Sequence, residues 1–248
     1  MSEFNTTLRD RPSVRPDMAV DAGLRAFMLG VYNKMGLGLV VSAGLAWATA
    51  SVAPVRDALF VVVDGRLAGY TPVGMVLAFA PLVLLLGSAF LVRSASPRMA
   101  SLLYWSVVAL IGASLGALAL RYTGQSLAST FLITATAFGA LSLYGYTTKR
   151  DLSGIGTFLI MGVIGLLIAG VVNIFLQSSM LMLAISGIGV LIFAGLTAYD
   201  TQRLKLTYHQ LGGDRAAMGA ATSFGALSLY LDFINLFQFL LVFLGQRR

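Results

Sequence analysis

Along this chain the charged residues fall in short clusters, and the stretches between clusters are apolar from end to end. Uncharged runs extend from Met35 to Val55, Leu67 to Val92, Met99 to Leu120 and Tyr122 to Thr148. Each suffices for the roughly 20 residues an α-helix needs to cross a hydrocarbon core. The run from Leu152 to Tyr199 is about twice that length and predicts two helices, with the polar Gln177-Ser178-Ser179 as the turn between them. The last run, Ala216 to Gln246, holds a single charge, Asp232. The pattern predicts an all-α integral membrane protein of seven spans.

Ahead of the first span, residues 1–19 are polar and carry no short apolar core with a small-residue cleavage site, so no cleavable signal is expected there. Val20, Leu24, Phe27, Met28 and Val31 then recur at helical spacing opposite Asp21 and Arg25. This spacing predicts a short amphipathic helix on the membrane surface. The expected organisation is a cytoplasmic tail and lead-in helix over 1–34, followed by a transmembrane domain over 35–248.

Composition agrees with this. Of 248 residues 58% are hydrophobic and 11% charged, an apolar excess that a soluble domain could not solvate. There is no cysteine, which excludes disulfides, thiolate nucleophiles and cysteine-ligated metals, and the lone His209 excludes paired-histidine zinc motifs. The net charge of +7 does not point to nucleic acid, because the basic residues are spread over the connections. With seven spans, Arg9, Arg11, Arg15, Arg25, Lys34, Arg93, Arg98, Lys149, Arg150, Arg203, Lys205 and Arg215 share one side. Only Arg56, Arg66, Arg121, Arg247 and Arg248 lie on the other. The bias puts the N-terminus in the cytoplasm and the C-terminus outside, with the C-terminal arginine pair dissenting. Glycines within spans, such as Gly36, Gly38, Gly112, Gly116, Gly162 and Gly165, predict close helix packing. Trp47 and Trp105 read as interfacial anchors or bundle core.

An ionisable side chain inside a membrane is costly unless paired or hydrated, which makes Asp232 the first functional candidate. Ser228, Asp232 and Asn235 fall on one helical face, expected to point into the bundle. The competing reading is a structural carboxylate that locks helix packing. Asp200, at the cytoplasmic end of the sixth span with Arg203 one turn on, is the second candidate. With a last helix starting near Ser223, both carboxylates fall in the cytoplasmic half on adjacent helices. Two such neighbours resist simultaneous ionisation, so the pair shares a proton or recruits a cation. Oxygen-only ligands suit H⁺ and Ca²⁺ rather than soft metals. Arg93 and Arg98 are placed to neutralise the charged pair.

The segment FGALSLYLDFINLFQF, Phe224 to Phe239, resembles the signature of the Bax inhibitor-1 (transmembrane BAX inhibitor motif) family. Asn173-Ile174-Phe175-Leu176, Ala198-Tyr199-Asp200-Thr201-Gln202 and the lead-in from Asp21 to Met35 support the likeness, which runs from about residue 20 to the end. The resemblance implies a bacterial-type member with seven transmembrane helices, the last central. It also implies a pH-sensitive paired-aspartate site, matching Asp200 and Asp232, that governs a slow Ca²⁺ leak. It implies as well an arginine latch at the end of the second span, for which Arg93 is nearest and Arg98 the alternative. The family is further linked to stress tolerance and, in some bacteria, to restraint of a membrane-bound protease.

Two functions follow as expectations: a proton-gated passive cation pathway of the bacterial inner membrane, or a non-transporting regulator that binds a membrane complex such as a protease. In the second, the tail or the Leu204–Ala221 stretch carries the activity. Neither needs a cofactor beyond Ca²⁺ as a permeant or bound ion. The motifs do not resemble the YD and GxGD pairs of intramembrane aspartyl proteases, so no enzyme is expected.

Overall fold

The computed structural model of the chain describes residues 16–91, 96–211 and 213–247, with side chains over 22–88, 96–211 and 213–247. Residues 1–15 of the polar tail expected over 1–19, and Arg93, lie outside them. The described chain forms α1 (Pro16–Ser51), α2 (Ala53–Leu59), β1 (Phe60–Val63), β2 (Arg66–Tyr70), α3 (Pro72–Leu91), α4 (Pro97–Ser114) and α5 (Gly116–Arg121). It continues as α6 (Gly124–Thr147), α7 (Ser153–Leu176), α8 (Ser179–Gln210) and α9 (Arg215–Leu244). Side-chain oxygens mark four helix starts by accepting first-turn amides: Ser96 from Met99, Thr123 from Ser126, Ser178 from Leu181, and Asp214 from Ala216 and Ala217.

Among the described residues, six helical stretches are long and apolar enough to cross a membrane, and Pro72–Ser88 within α3 forms a shorter apolar helix. The protein is an all-α, multi-pass membrane bundle. Its outside is apolar: α7 exposes Phe158, Met161, Ile168 and Phe175, as a lipid-facing helix does. α9 packs against α1, α4, α6 and α8, and half of its apolar window is buried, more than in the other spans.

Three expectations change in the structure. The stretch from Val20 to Val31 is not a separate surface helix; α1 runs unbroken from Pro16 to Ser51. Its apolar stripe of Leu24, Phe27, Met28, Val31 and Met35 is buried in the main core with Tyr104, Leu229 and Tyr230. The amphipathic face is covered by α9 and its neighbours rather than by lipid.

Second, Leu67 does not begin a span. Asp64 and Gly65, both left-handed with φ of 50 and 73, turn β1 back on β2 as an antiparallel hairpin, and α3 starts only at Pro72. Asp-Gly between two β-prone runs is the signal for such a turn.

Third, α9 begins at Arg215 rather than near Ser223, and α8 runs on past Tyr199 to Gln210. At about 1.5 Å per residue, helices of 36, 32 and 30 residues (α1, α8 and α9) outreach a hydrocarbon core of about 30 Å. They do so together at one end. Tyr208 of α8 packs against Phe27 of α1, ring centroids 5.7 Å apart, and its hydroxyl fills the space over Gly23. Residues 204–210 and 215–221 therefore extend the bundle as helix, at the end of α8 and the start of α9.

The glycines divide. Gly38, Gly112, Gly116 and Gly162 sit where a Cβ would meet a neighbouring helix, whereas Gly36 and Gly165 face open space. Spacing alone did not separate the two groups.

Candidate functional site

α8 and α9 pack against each other more extensively than any other pair of elements, and each carries one aspartate of interest. Asp232 lies 17 residues into α9 by count from Arg215, and is 4% exposed. One of its carboxyl oxygens, Oδ2, is buried with no hydrogen-bond partner. Asp200 is partly exposed on α8, close enough that its charge acts on Asp232. Arg203 lies one turn along the same helix from Asp200, and the Ser228 hydroxyl of α9 faces its carboxylate.

Of the other residues singled out by sequence, Asn235 turns to its own helix and donates to the Leu231 carbonyl at 2.8 Å. Arg98 is exposed in the first turn of α4 and has no ion pair; among the described residues the one salt bridge is Arg56 to Asp57. The described arginine whose field reaches Asp200 is Arg203, not Arg98.

The α8 backbone beside Asp200 is pinned on several sides by residues the sequence reading did not single out. Thr201 Oγ1 and Ser142 Oγ of α6 share a hydrogen bond of 2.9 Å, and Ser142 in turn meets the Tyr32 hydroxyl of α1. Thr201 also donates to Thr197 O of its own helix. Gln202 holds the α6–α7 connection, accepting from Leu152 N at 2.9 Å and donating to Arg150 O at 2.7 Å. Gly145 of α6 lies against the Ala198 backbone. Gln202 stands inside a quoted motif, but its task depends on a loop 50 residues away in sequence. Polar groups inside a bundle are satisfied in this way because each one left unpaired is expensive.

Lys34, counted in the sequence only as a topology charge, is a second such group. Its Nζ donates to Ser101 Oγ of α4 at 2.9 Å and Ser223 Oγ of α9 at 2.8 Å, and it lies 5.2 Å from the centre of the Tyr104 ring. A cavity of about 440 Å³ opens between α1 and α6, lined by Arg25, Tyr32, Ser142 and Tyr146 among apolar side chains. Through Ser142 it borders the hydrogen bond to Thr201, the neighbour of Asp200.

For a cation, the donor set is two carboxylates and one hydroxyl. Ca²⁺ takes six to eight oxygens, so water would have to complete the shell. Among the described residues no group of three or more His, Asp or Glu side chains converges on a point.

The family model described as "Inhibitor of apoptosis-promoting Bax1" matches residues 24–248. The chain belongs to the Bax inhibitor-1 family. It is 65% identical over 249 residues to a protein of Caulobacter vibrioides, covering all of both chains. It is 45% identical over 228 residues to RP147 of Rickettsia prowazekii, covering 92% of each chain. It is 44% identical over 228 residues to the inner membrane protein YbhL of Escherichia coli, covering 92% of this chain and 94% of YbhL. For this Bax inhibitor-1 family member the match takes in every helix from within α1 onward, including both aspartates.

Proposed function

We propose that the protein is a passive cation leak pathway, selective enough to carry Ca²⁺, whose open and closed states are set by the protonation of Asp200 and Asp232. It resides in the bacterial inner membrane, like the inner membrane protein YbhL, with seven spans around α9. The N-terminus is then cytoplasmic and the C-terminus outside, and the leak serves stress tolerance. The supporting observation is Asp232: a buried carboxyl in the middle of the most enclosed helix, with one oxygen unpartnered and a second carboxyl acting on it from the next helix.

The mechanism is a population shift. A proton or a cation that binds one arrangement of α8 and α9 better than the other moves the equilibrium by that difference and no more. In the closed arrangement ionised Asp200 is held by a guanidinium at the cytoplasmic mouth. Arg203 supplies part of that field, and Arg93 and Arg98 remain the candidates for a latch from another helix. Protonation of Asp200 cancels the attraction. The two carboxyls titrate as a pair, so a proton taken by either changes the field at the other. Apart from the exchange of a proton with solvent, no covalent bond is made or broken.

Ca²⁺ uptake by proteoliposomes across a series of pH values tests this. Asp200→Asn and Asp232→Asn should each flatten the pH profile, because each removes one of the two interacting charges. Wild-type flux with a wild-type pH profile in both variants would end the proposal. A second reading is favoured by the helical extension over residues 204–221: a regulatory protein that presents this end to a membrane-bound protease or similar complex. Co-purification of such a complex, lost on altering the exposed Leu206 and retained in the double aspartate variant, would favour it.

A further inference from the structure

At the end of the bundle away from Arg25 and Lys205, a cleft of about 520 Å³ opens between the α5–α6 connection, the α7–α8 turn and the end of α9. Arg121 and Arg247 line it with Asn173 and Gln177, and no acidic residue does. Neither arginine has a carboxylate within salt-bridge distance among the described residues.

The fold holds the two arginines at one site. Thr123 N donates to Gln246 O at 3.0 Å, Gln246 N donates to Ser126 Oγ at 2.8 Å, and Arg247 pairs with Tyr122 as a short antiparallel bridge. Gly245 approaches Tyr122 so closely that a Cβ would stand 2.6 Å from its ring. The C-terminal segment is thus clipped to the residue that follows Arg121. Like charges drawn together repel, whereas an anion between two guanidiniums turns that repulsion into two charge-assisted contacts.

Two further features fit the same anion. The first-turn amides of α8, at Ser179 and Met180, lack partners within the helix and border the cleft. Met180 and Leu183 on the same rim are 76% and 44% exposed, an apolar edge suited to acyl chains.

We infer that this cleft binds the phosphate of an anionic phospholipid headgroup between Arg121 and Arg247, with the lipid tails lying along Met180 and Leu183. The inference is independent of the aspartate pair. It also gives a reason for Arg247, which opposes the charge bias that otherwise orients the chain.

Native mass spectrometry of the full chain in detergent, with phosphatidylglycerol or phosphatidylcholine added, tests the site. The wild type should retain phosphatidylglycerol in preference. R121Q combined with R247Q should bind it about tenfold more weakly, the scale of losing charge-assisted hydrogen bonds. R66Q, an arginine of the hairpin at the same end, should leave binding unchanged. Substituting lysine at both positions keeps the charge but loses the planar fork, and should give intermediate binding. Both arginines are exposed, and equal melting of all variants without added lipid shows that folding is intact. Displacement of the lipid by millimolar inorganic phosphate from the wild type alone keeps the anion site and assigns it to the free ion. Equal retention of the two lipids by the wild type, or equal binding by the double glutamine variant and R66Q, overturns the inference.

Discussion

Replacing Gly145 by alanine should loosen the joint that positions Asp200. A Cβ at Gly145 would stand 2.2 Å from the Ala198 carbonyl oxygen, 2.8 Å from its carbon and 2.9 Å from its Cα. All three atoms are backbone of α8, so no side chain can rotate away. Restoring ordinary contact at about 3.5 Å requires the helices to part by roughly 1 Å. Overpacking of this kind costs about 1–3 kcal/mol, and backbone on both sides puts Gly145→Ala in the upper part of that range. Alanine also gains about 1 kcal/mol in helix propensity over glycine.

Gly139→Ala, on the same helix with nothing within 4 Å of its Cβ, carries the propensity gain without the clash. The difference between the two variants isolates the clash at about 2–3 kcal/mol. At about 2–4 °C per kcal/mol for a chain of this size, Gly145→Ala should melt some 4–12 °C below Gly139→Ala, read by thermal unfolding of the purified protein in one detergent. Because Asp200 follows Ala198 by two residues, the same variant should also change the pH profile of Ca²⁺ flux. A Gly145→Ala protein that melts with or above Gly139→Ala would refute the close approach of α6 and α8.

The buried pair of Ser42 and Tyr230, hydrogen-bonded at 2.6 Å, should respond asymmetrically. Ser42→Ala strands the fully buried Tyr230 hydroxyl and should cost about 1–3 kcal/mol. Tyr230→Phe leaves Ser42 its 3.2 Å bond to Val108 O and should cost less, with the double variant little worse than Ser42→Ala; additive melting shifts would argue against the bond. Outside the membrane, Asp151 accepts the Ser153 amide at 2.9 Å, which holds its carboxyl below the ordinary range. A group with a depressed folded value contributes above the unfolded value and loses its contribution as pH falls through the folded one. Exchange of the Ser153 amide should therefore quicken at acid pH in excess of intrinsic exchange, and Asp151→Asn should abolish that pH dependence.

Helix chemistry was largely readable from the chain because it is local. Apolar runs between charges, Ser96, Thr123, Ser178 and Asp214 as caps, and the polar break at Gln177 mark where most helices begin and end. The hairpin was readable too, in Asp64-Gly65, but a reading governed by charge boundaries assigned Leu67 to a span. The lead-in to the first span failed for another reason. An amphipathic stripe states that an apolar face must be covered, not whether lipid or protein covers it, and here α9 and its neighbours do.

By itself, then, the sequence determined an all-α membrane chain and two acidic side chains whose presence in apolar helices demands an explanation. Hydrophobic period, length and charge placement carry that much, since each depends on neighbours within a turn or two. Only the tertiary structure decided that Asp200 and Asp232 come together across the α8–α9 interface, that Arg203 rather than Arg98 is the described arginine beside Asp200, and that Gln202 and Ser142 brace α8 next to it. It alone brought Arg247 to Arg121, 126 positions apart by their numbers. Such pairings depend on which helices meet and at what rotation, and packing sets both through contacts that no local pattern encodes.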